Sequence, residues 1–597
     1  MDHLEQRDLI GSSKKAKELL SRAYPYARPH LWILGLSVLA SIGYSSVNSY
    51  FVYFTKHVFD GIFLAKDVSR VYLVVLAMIG LGMARFFADS LQSYMVQYSG
   101  EKIFMRIQED LYRRIVRLPV HLFERAPVGD YMSRMGNDSK MVQAIIVDIV
   151  SVLTKETFTV FGLVGVLFYL NAKLALVSFV AIPFIFLVSQ YSGKTFRTLT
   201  RRTQVERSKI FSRLFQTMTG IRVVKSLVRE DYETSRLEES NLRLFKVMFR
   251  TVHLRYFIKF LNELMGFLGI GFVVWFASRS IIREGFTPGD FVAFITALFS
   301  FYDPVKKIGN LNSQMHSAMA GAERVFLYFD PPFEEERDEG ELEFGGLREA
   351  IRFEGVTFSY DPADAGAFRV EGIDMEIPVG KTVALVGGSG EGKSTLIHLL
   401  LRFMEPQSGA IRIDGTDYRR IRLSSLRKRI AVVTQESILF SDTVRENIRY
   451  GRLDATDEDV ERAAMDVGVY DMIQSLSGGF DMNLSERGVS ISGGQRKMVI
   501  LARALLSNPP ILVLDEATSE IDSKMEARIF EAMDRLTQGR TTVVIAHRLS
   551  TVKSAHRTYV IQHGRIVQSG THDELVAQGG RYVELFKEQL ETGNRAQ

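Results

Sequence analysis

The chain contains no cysteine among its 597 residues. Disulfide bonds and thiolate metal sites are therefore excluded, and cysteine usage says nothing about the redox compartment. An apolar signal core is also missing, because residues 1–28 are polar and charged, so we expect no cleavable signal peptide. Low-complexity tracts and further repeats are absent as well. What remains to interpret is a set of long apolar segments and a few glycine-rich motifs.

The first half of the chain is strongly apolar. Overall, 46% of the residues are hydrophobic and 41 are Phe, and this excess is concentrated before residue 310. A helix that crosses a bilayer needs roughly 20 apolar residues. Six segments reach this length or approach it, near residues 31–54, 71–91, 149–170, 174–191, 256–281 and 291–305. Buried helices of a large soluble protein are the alternative, but the number and length of the segments favour membrane helices.

The distribution of charge predicts the orientation of these helices. Residues 100–140 and 192–252 are rich in Lys and Arg, whereas the connections near 56–70, 171–173 and 279–290 are short and carry few. By the positive-inside rule, the long basic loops and both termini are cytoplasmic. The net charge of +5 is therefore attributed to membrane topology, and we do not interpret it as nucleic-acid binding.

Residues 387–394 read GGSGEGKS and match the phosphate-binding pattern GxxxxGK[ST]. An apolar run predicted as a strand precedes them, and a run with helical spacing follows, which is the context this loop requires. Lys393 is expected to reach the β- and γ-phosphates, and the Ser394 hydroxyl is expected to bind Mg²⁺. The residues expected to surround the phosphates are Gly387, Gly388, Ser389, Gly390, Glu391, Gly392, Lys393, Ser394 and Thr395.

Two further apolar strands end in residues suited to phosphate chemistry. Residues 511–514 are apolar and lead to Asp515, a predicted Mg²⁺ ligand, and Glu516, a predicted general base. Residues 541–546 form a second such run that ends in His547. Between the phosphate loop and these strands lies the sequence ISGGQ at residues 491–495. A lone histidine at the end of a strand is usually structural, but the order of the four elements favours a functional one.

In this order, the four elements resemble the nucleotide-binding domain of ABC transporters, from about residue 350 to the end of the chain. The resemblance implies that Tyr360 stacks on adenine and that Gln435 contacts Mg²⁺ and faces the membrane domain. It implies that His547 contacts the γ-phosphate. The signature loop, Ser492, Gly493, Gly494 and Gln495, and the D-loop residue Asp522 would act on ATP held by the opposite subunit. The departures are small: Ile491 replaces a leucine, and Glu391 brings a carboxylate close to the phosphates unless it points to solvent.

The first half resembles the membrane domain of ABC exporters. Residues 118–134 and 220–233 are similar to the two intracellular loops of that family, and we place their short coupling helices near 123–127 and 213–218. An acidic segment with two prolines predicts a linker at 330–348, between a membrane domain at 1–329 and a nucleotide-binding domain at 349–597. The predicted fold is a polytopic helical membrane domain, with six transmembrane helices and long cytoplasmic extensions, plus an α/β P-loop ATPase.

A composite ATP site needs a phosphate loop facing a signature loop, and one domain cannot place its own two loops together. With one of each, the chain is predicted to be a homodimer that binds ATP and Mg²⁺. The resemblance implies an ATP hydrolase coupled to export, in the cytoplasmic (inner) membrane of a bacterium. Members that act as regulated channels often carry extra regulatory domains or a degenerate catalytic glutamate, and this chain has neither.

The transported molecule is suggested by charged residues within the membrane segments. Arg85, Lys155 and Lys306 all fall near the inner leaflet by chain direction, and ionisable residues there are costly and often functional. They are candidates for a basic ring around an anionic headgroup, which resembles the lipid A flippases. Pairing with Asp89, Asp148 or Glu156, or snorkelling to the interface, is the structural alternative. A multidrug or amphiphile exporter is the second functional candidate, and export of a peptide or other molecule is a third.

Overall fold

The computed structural model divides into two units, Met1–Val116 with Val128–Phe333, and Arg117–Pro127 with Glu334–Gln597. It describes residues 17–63, 68–125, 127–179, 181–284, 286–330, 335–360, 366, 368–434, 438–484, 491–515, 523–546 and 548–594.

The first unit is helical. Its long helices are α1 (Leu31–Phe63), α2 (Val68–Val116), α6 (Asp148–Phe179), α7 (Ala181–Thr219), α9 (Glu230–Glu284) and α10 (Pro288–Phe326). Shorter helices are α4 (Val128–Ser133), α5 (Ser139–Ile146) and α8 (Ile221–Ser226), and α3 (Val120–Arg125) falls in the chain segment assigned to the second unit.

Three helical stretches within the described residues are long and apolar enough to cross a membrane: Lys17–Gly61, Tyr72–Val116 and Val128–Leu176. In the most apolar part of Tyr72–Val116, none of the residues is buried. An apolar surface left open in this way is suited to lipid. The predicted segment 174–191 spans the end of α6 and the first turns of α7, and the last two segments fall in the second half of α9 and the first half of α10.

A break at Asn171 separates the third and fourth predicted segments. Its backbone leaves the helical region at φ −162° and ψ 107°. Its Oδ1 atom accepts a hydrogen bond of 3.0 Å from the Leu174 backbone N–H, in the first turn of the helix that follows. Asparagine is a preferred N-cap because its oxygen satisfies such an orphan donor. The side chain thus ends one helix and starts the next.

The second intracellular loop differs from the expectation. Residues 213–218 belong to the long helix α7, and the short separate helix is α8, which begins only after Gly220. The reason is tertiary: Arg213 Nη1 donates to the Arg236 carbonyl at 2.7 Å and to Ser240 Oγ at 2.5 Å, which holds α7 against α9. The first loop is closer to the expectation, since α3 overlaps residues 123–125 of the predicted segment.

Packing in the first unit joins helices that are distant in sequence. One cluster of buried apolar side chains connects α1, α6 and α10, and it consists of Val52, Leu163, Leu167, Leu174, Ala175, Phe286, Phe294 and Ala297. Within a bilayer these side chains exchange contacts with lipid for contacts with one another, so close packing and dispersion energy hold the helices together.

The second unit is an α/β domain. Its strands are β1 (Ala350–Ser359), β2 (Arg369–Pro378), β3 (Thr382–Val386), β4 (Ser408–Ile413), β5 (Thr416–Asp417), β6 (Ile430–Val433), β7 (Ile511–Asp515), β8 (Thr541–Ile545), β9 (Arg557–Gln562) and β10 (Arg565–Gly570). Its helices are α11 (Lys393–Leu400), α12 (Leu423–Arg427), α13 (Val444–Arg449), α14 (Asp457–Val467), α15 (Tyr470–Gln474), α16 (Gly493–Leu506), α17 (Ser523–Thr537), α18 (Leu549–Ser554), α19 (His572–Gln578) and α20 (Arg581–Asn594).

The strands form two sheets, one in the order β2-β1-β4-β5 and the other in the order β10-β9-β3-β8-β7-β6. In the second sheet the strands from β9 to β6 are parallel, and β10 is antiparallel to β9. Alternate residues of its central strands enter two different cores, because successive side chains of a strand point to opposite faces. Val544 lies in one core and Val543 in the other. This burial on both faces explains the continuous apolar runs in the sequence.

The described part of the predicted linker, residues 335–348, has no long helix or strand. It is nevertheless fixed to the second unit. The Glu336 carboxylate accepts two hydrogen bonds from Arg427, at 2.5 and 2.7 Å, and the Phe344 backbone N–H donates to Ser425 Oγ at 3.0 Å. A bidentate arginine–carboxylate pair is directional as well as strong, so this segment has a defined path.

Candidate nucleotide-binding site

The candidate site lies at one edge of the parallel sheet. The strands β3, β6, β7 and β8 point the same way, so their carboxyl ends meet at this edge. The phosphate loop follows β3, Thr434 follows β6, Asp515 ends β7, and Ala546 follows β8. In open α/β sheets, ligands bind outside the carboxyl ends of the strands. The sheet therefore brings the predicted phosphate loop and the predicted metal ligand to a common edge.

Residues 387–392 form the loop between β3 and α11, and glycine is required at two of its positions. Gly390 and Gly392 have φ angles of +78° and +108°, a region that favours glycine. A Cβ atom on Gly392 would also lie only 3.1 Å from the Phe368 ring. The loop thus turns sharply into the N-terminus of α11, where backbone N–H groups and the helix dipole favour an anion.

Lys393 is held inside this loop. Its Nζ atom donates to the carbonyl oxygens of Gly387 and Gly388, at 2.8 and 2.6 Å, and the residue is 7% exposed. Burial lowers the pKa of Lys393, while the carboxylates of Glu391 and Asp515 act in the opposite direction. A lysine ammonium has three donors, so one remains for an anion in the loop.

Ser394 and Asp515 are the described candidates for Mg²⁺ ligands. Ser394 is exposed in the first turn of α11, and Asp515 is partly exposed at the end of β7. Both offer oxygen donors, which Mg²⁺ prefers. Across the described residues, no group of three or more His, Cys, Asp or Glu side chains could hold a metal by itself. Mg²⁺ is commonly bound by one or two protein oxygens together with substrate phosphates.

Tyr360 lies beside the start of α11. Its hydroxyl is 3.3 Å from Thr395 Oγ1, and its ring packs edge-on against Phe358 at 5.2 Å between centroids. The residue is 37% exposed, so part of its ring surface is open to a ligand. Phe368, which the sequence interpretation did not select, contacts the same loop at Gly392. Its position just before β2 gave no signal of this proximity.

The signature residues form the N-terminus of α16. Ser492 is the N-cap, with its Oγ accepting from the Gln495 backbone N–H at 3.3 Å and Gln495 Oε1 accepting from the Ser492 N–H at 2.8 Å. This reciprocal arrangement is a capping box. Ser492 and Gly493 are exposed and Gly494 is buried. The cap therefore leaves Ser492 and Gly493 accessible at the N-terminus of this helix.

Four predicted site residues lie outside the described residues: Gln435, Glu516, Asp522 and His547. Three of them directly follow described residues at the sheet edge, namely Thr434, Asp515 and Ala546. The Thr434 carbonyl accepts a hydrogen bond of 3.1 Å from Lys497, a buried lysine of α16. This contact connects the signature helix to the residue before Gln435, and no motif in the sequence pointed to it.

The candidate substrate residues divide into two groups in the first unit. Arg85 and Lys155 both approach the ring of Tyr44, at 6.0 and 4.5 Å from its centroid, and Lys155 also donates a hydrogen bond to Asp89. Lys306 lies 5.9 Å from the ring centroid of Tyr302. The pairing of Lys155 with Asp89 matches the alternative from the sequence in which the charged residues pair with carboxylates. Each of the three cations, Arg85, Lys155 and Lys306, also lies close to an aromatic ring.

Comparison with known proteins identifies both units. The family described as "ABC transporter transmembrane region" matches residues 34–305, and the family described as "ABC transporter" matches residues 370–519. The chain belongs to the ABC transporters. It is an integral membrane protein whose ATP-hydrolysing domain binds nucleotide, and the predicted fold, a helical membrane domain followed by a P-loop ATPase, is confirmed.

Among its relatives, an ATP-dependent lipid A-core flippase of Desulfotalea psychrophila is 36% identical over 573 residues, which cover 96% of this chain and 100% of the relative. Proteins of the same name from Syntrophus aciditrophicus and Methylococcus capsulatus are each 34% identical. The first of these two alignments covers 96% of this chain and 95% of the relative, and the second covers 98% and 96%. The similarity therefore includes both units of this ABC transporter.

Proposed function

We propose that this ABC transporter is an ATP-driven flippase that moves an amphipathic lipid, of the lipid A type or another anionic lipid, from the inner to the outer leaflet. The observation that carries this proposal is the full-length similarity to proteins named ATP-dependent lipid A-core flippase, with no large part of either chain left unmatched. Similarity restricted to the ATPase domain would support ATP hydrolysis but would say little about the transported molecule.

The membrane unit supports an anionic amphiphile. Arg85 and Lys155 share the Tyr44 ring, and the Arg85 guanidinium is also 5.8 Å from the Phe51 ring. A cation beside aromatic rings offers charge for a headgroup and apolar surface for the adjoining chains. In this proposal Arg85 and Lys306 bind the anionic headgroup, and Lys155 contributes when its pairing with Asp89 loosens.

Energy for transport comes from ATP bound at the phosphate loop. In the proposed site the backbone of residues 387–392 and the start of α11, including Ser394 and Thr395, surround the phosphates, and Lys393 neutralises their charge. Tyr360 stacks on the adenine. Glu516 acts as the general base for the attacking water, and Gln435 and His547 orient the reacting groups. When bound, Mg²⁺ supplies charge neutralisation at the phosphates, with Ser394, Asp515 and Gln435 as its protein ligands.

The functional unit is proposed to be a homodimer. The N-terminus of α16 exposes Ser492 and Gly493, and the signature loop of Ser492, Gly493, Gly494 and Gln495 is proposed to meet the ATP of a second copy there. Asp522 would lie at the same interface. Closure of two such sites would bring the two ATPase domains together and switch the membrane cavity between its two openings. The ATPase domain and both termini are assigned to the cytoplasm, and the membrane is proposed to be the bacterial inner membrane.

The proposal is tested by ATPase measurements in lipid nanodiscs. Purified lipid A and each of a panel of cationic amphiphilic drugs are titrated separately, and their stimulation of ATPase activity is compared. The Glu516→Gln variant serves as the blank. Saturable stimulation by lipid A, weakened by Arg85→Gln and Lys306→Gln, is the expected result. Stimulation by the drugs alone would contradict the proposal and indicate a multidrug exporter instead.

A further inference from the structure

Glu391, in the middle of the phosphate loop, does not point to solvent. Its side chain is only 12% exposed. One carboxylate oxygen, Oε2, accepts a hydrogen bond of 2.6 Å from the backbone N–H of Gly388, on the opposite side of the same loop. The carboxylate therefore closes the loop upon itself with a charge-assisted hydrogen bond, which is stronger than one between neutral groups.

The second oxygen of the same carboxylate is held by the C-terminal helix. Glu391 Oε1 lies 3.3 Å from Nη2 of Arg581, which begins α20. Arg581 also contacts Glu584, one turn further along, at 3.3 Å through its Nη1 atom. The first turn of α20 is firmly anchored, since the adjacent Tyr582 is completely buried and its hydroxyl is 2.7 Å from His572 Nδ1.

We propose that Glu391 and Arg581 form a compensated clamp that fixes the shape of the phosphate loop and sets its affinity for ATP. The inference rests on the proposed role of this loop in binding ATP, and it assigns positioning roles to two residues. Glu391 holds the loop through Gly388. Arg581 holds Glu391 and offsets a negative charge that would otherwise face the triphosphate.

The charges of Glu391 and Arg581 determine whether a substitution weakens or strengthens ATP binding. A carboxylate inside an anion-binding loop repels the phosphates, and the repulsion is strong where the loop is partly shielded from water. The Arg581 guanidinium cancels most of this repulsion while it remains beside Glu391. Without Arg581, the carboxylate stays in the loop with its charge uncompensated. When Glu391 is replaced by a neutral residue, there is no carboxylate charge for Arg581 to offset, so loss of Arg581 should then matter little for ATP binding.

The clamp is tested by a double-mutant cycle on the full chain in nanodiscs, with the Kd of MgATP measured by competition against a fluorescent ATP analogue. Arg581→Met is expected to raise the Kd about five- to tenfold at low salt. In the Glu391→Gln background, where the amide oxygen can still accept from Gly388, Arg581→Met should change the Kd by less than about twofold. The effect of Arg581→Met on the Kd should therefore differ between the wild-type and Glu391→Gln backgrounds, and this difference should shrink as ionic strength rises.

Kinetics separate positioning of the loop from general damage. Arg581→Met should raise KM for ATP and leave kcat nearly unchanged, and Arg581→Lys should restore part of the affinity because it keeps the charge. Glu584→Gln, which removes the other carboxylate that contacts Arg581, is the matched control and should leave the Kd unchanged. Glu391→Ala should weaken binding relative to Glu391→Gln, because Gly388 then loses its acceptor.

If Arg581→Met raised the Kd equally in both backgrounds, the proposed clamp would be wrong, since Arg581 would then act independently of Glu391. A lowered melting temperature with an unchanged Kd would also overturn it, because the contact would then be only structural. Lys393→Ala is measured in parallel. If that variant binds ATP normally, the phosphate loop itself is misassigned, and this failure is distinguishable from failure of the clamp.

Discussion

Lys155 donates a hydrogen bond to Asp89, and the same ammonium lies 4.5 Å from the centre of the Tyr44 ring. The lysine side chain is 17% exposed, whereas the aspartate is 44% exposed. A lysine that is shared between a carboxylate and an aromatic face is less available to an anionic headgroup than a free one. In the proposed flippase, the pairing of Lys155 with Asp89 would therefore limit how much Lys155 contributes to lipid binding.

Replacing Asp89 by Asn is expected to strengthen the response to an anionic lipid. The substitution removes a negative charge beside Lys155 and Arg85, so the lipid A concentration for half-maximal ATPase stimulation should fall about threefold. Lys155→Gln should raise that concentration, because Asp89 is then left without its cation, and the double variant should fall between the two. Lys209→Gln, which removes a surface pair with Glu206, is the control. Identical responses in all variants would show that this pair does not face the lipid.

Replacing Glu516 by Gln should abolish multiple-turnover ATP hydrolysis. The residue directly follows Asp515 at the sheet edge, and loss of a general base lowers the rate by roughly 10²- to 10⁴-fold. MgATP binding should persist, because the phosphate loop is unchanged, so the closed dimer should accumulate. Phosphate release and nucleotide retention are measured on the same sample. Substantial steady-state hydrolysis by this variant would show that another group is the base.

Asp414 stabilises the ATPase domain through three backbone hydrogen bonds. Its carboxylate accepts from the N–H groups of Arg348, Glu349 and Ala350, at 2.9, 2.7 and 3.1 Å, and its own φ angle is +49°. Asp414→Ala should destabilise the domain by about 2–3 kcal/mol, because the acceptors are lost and alanine tolerates this backbone poorly. Asp414→Asn should cost only about 1 kcal/mol, because asparagine tolerates the left-handed region and keeps one acceptor oxygen.

Calorimetric unfolding of the full chain measures this effect. Tryptophan fluorescence is unsuitable, because both tryptophans, Trp32 and Trp275, belong to the membrane unit. Asp534→Ala, at an exposed position of α17, provides a control that should leave the transition in place. Equal stability of the alanine and asparagine variants would contradict the assigned role of the three hydrogen bonds.

The strands of the site could be predicted because buried parallel strands leave continuous apolar runs. The run at residues 511–514 and the run at 541–545 correspond to β7 and β8, and the positive φ angles of Gly390 and Gly392 are a local requirement of the loop between β3 and α11. Such features are determined by neighbouring residues, so one sequence is enough to find them.

Features that depend on distant residues could not be predicted. The direction of the Glu391 side chain, which the sequence left open, is determined by Arg581, 190 residues later. The sequence offers Asp89 only as one of three candidate partners for the membrane cations, and the fold selects it for Lys155. The position of the second short loop helix was predicted several residues too early, because Arg213 binds the neighbouring helix α9 and α7 continues past the expected end. In each case a tertiary contact outweighs the local pattern.

Gly493 offers a direct test of the homodimer. It is exposed at the N-terminus of α16, and a Cβ atom built on it would meet nothing within 4 Å. Gly493→Asp should therefore leave its own domain folded while placing a carboxylate where a second copy presents ATP. A homodimer of this variant should lose ATPase activity, because the added charge repels the γ-phosphate, and so should a homodimer of Lys393→Ala.

A mixed dimer of these two variants should regain about half of the activity, because one of its two composite sites then joins an intact phosphate loop to an intact signature. Dimers with two different affinity tags are isolated in two steps, and their ATPase rate is compared with that of a wild-type chain paired with a Lys393→Ala/Gly493→Asp chain. That second pairing damages both composite sites and should be inactive. If each chain instead completed its own site, the results would be reversed, with the second pairing active and the first inactive.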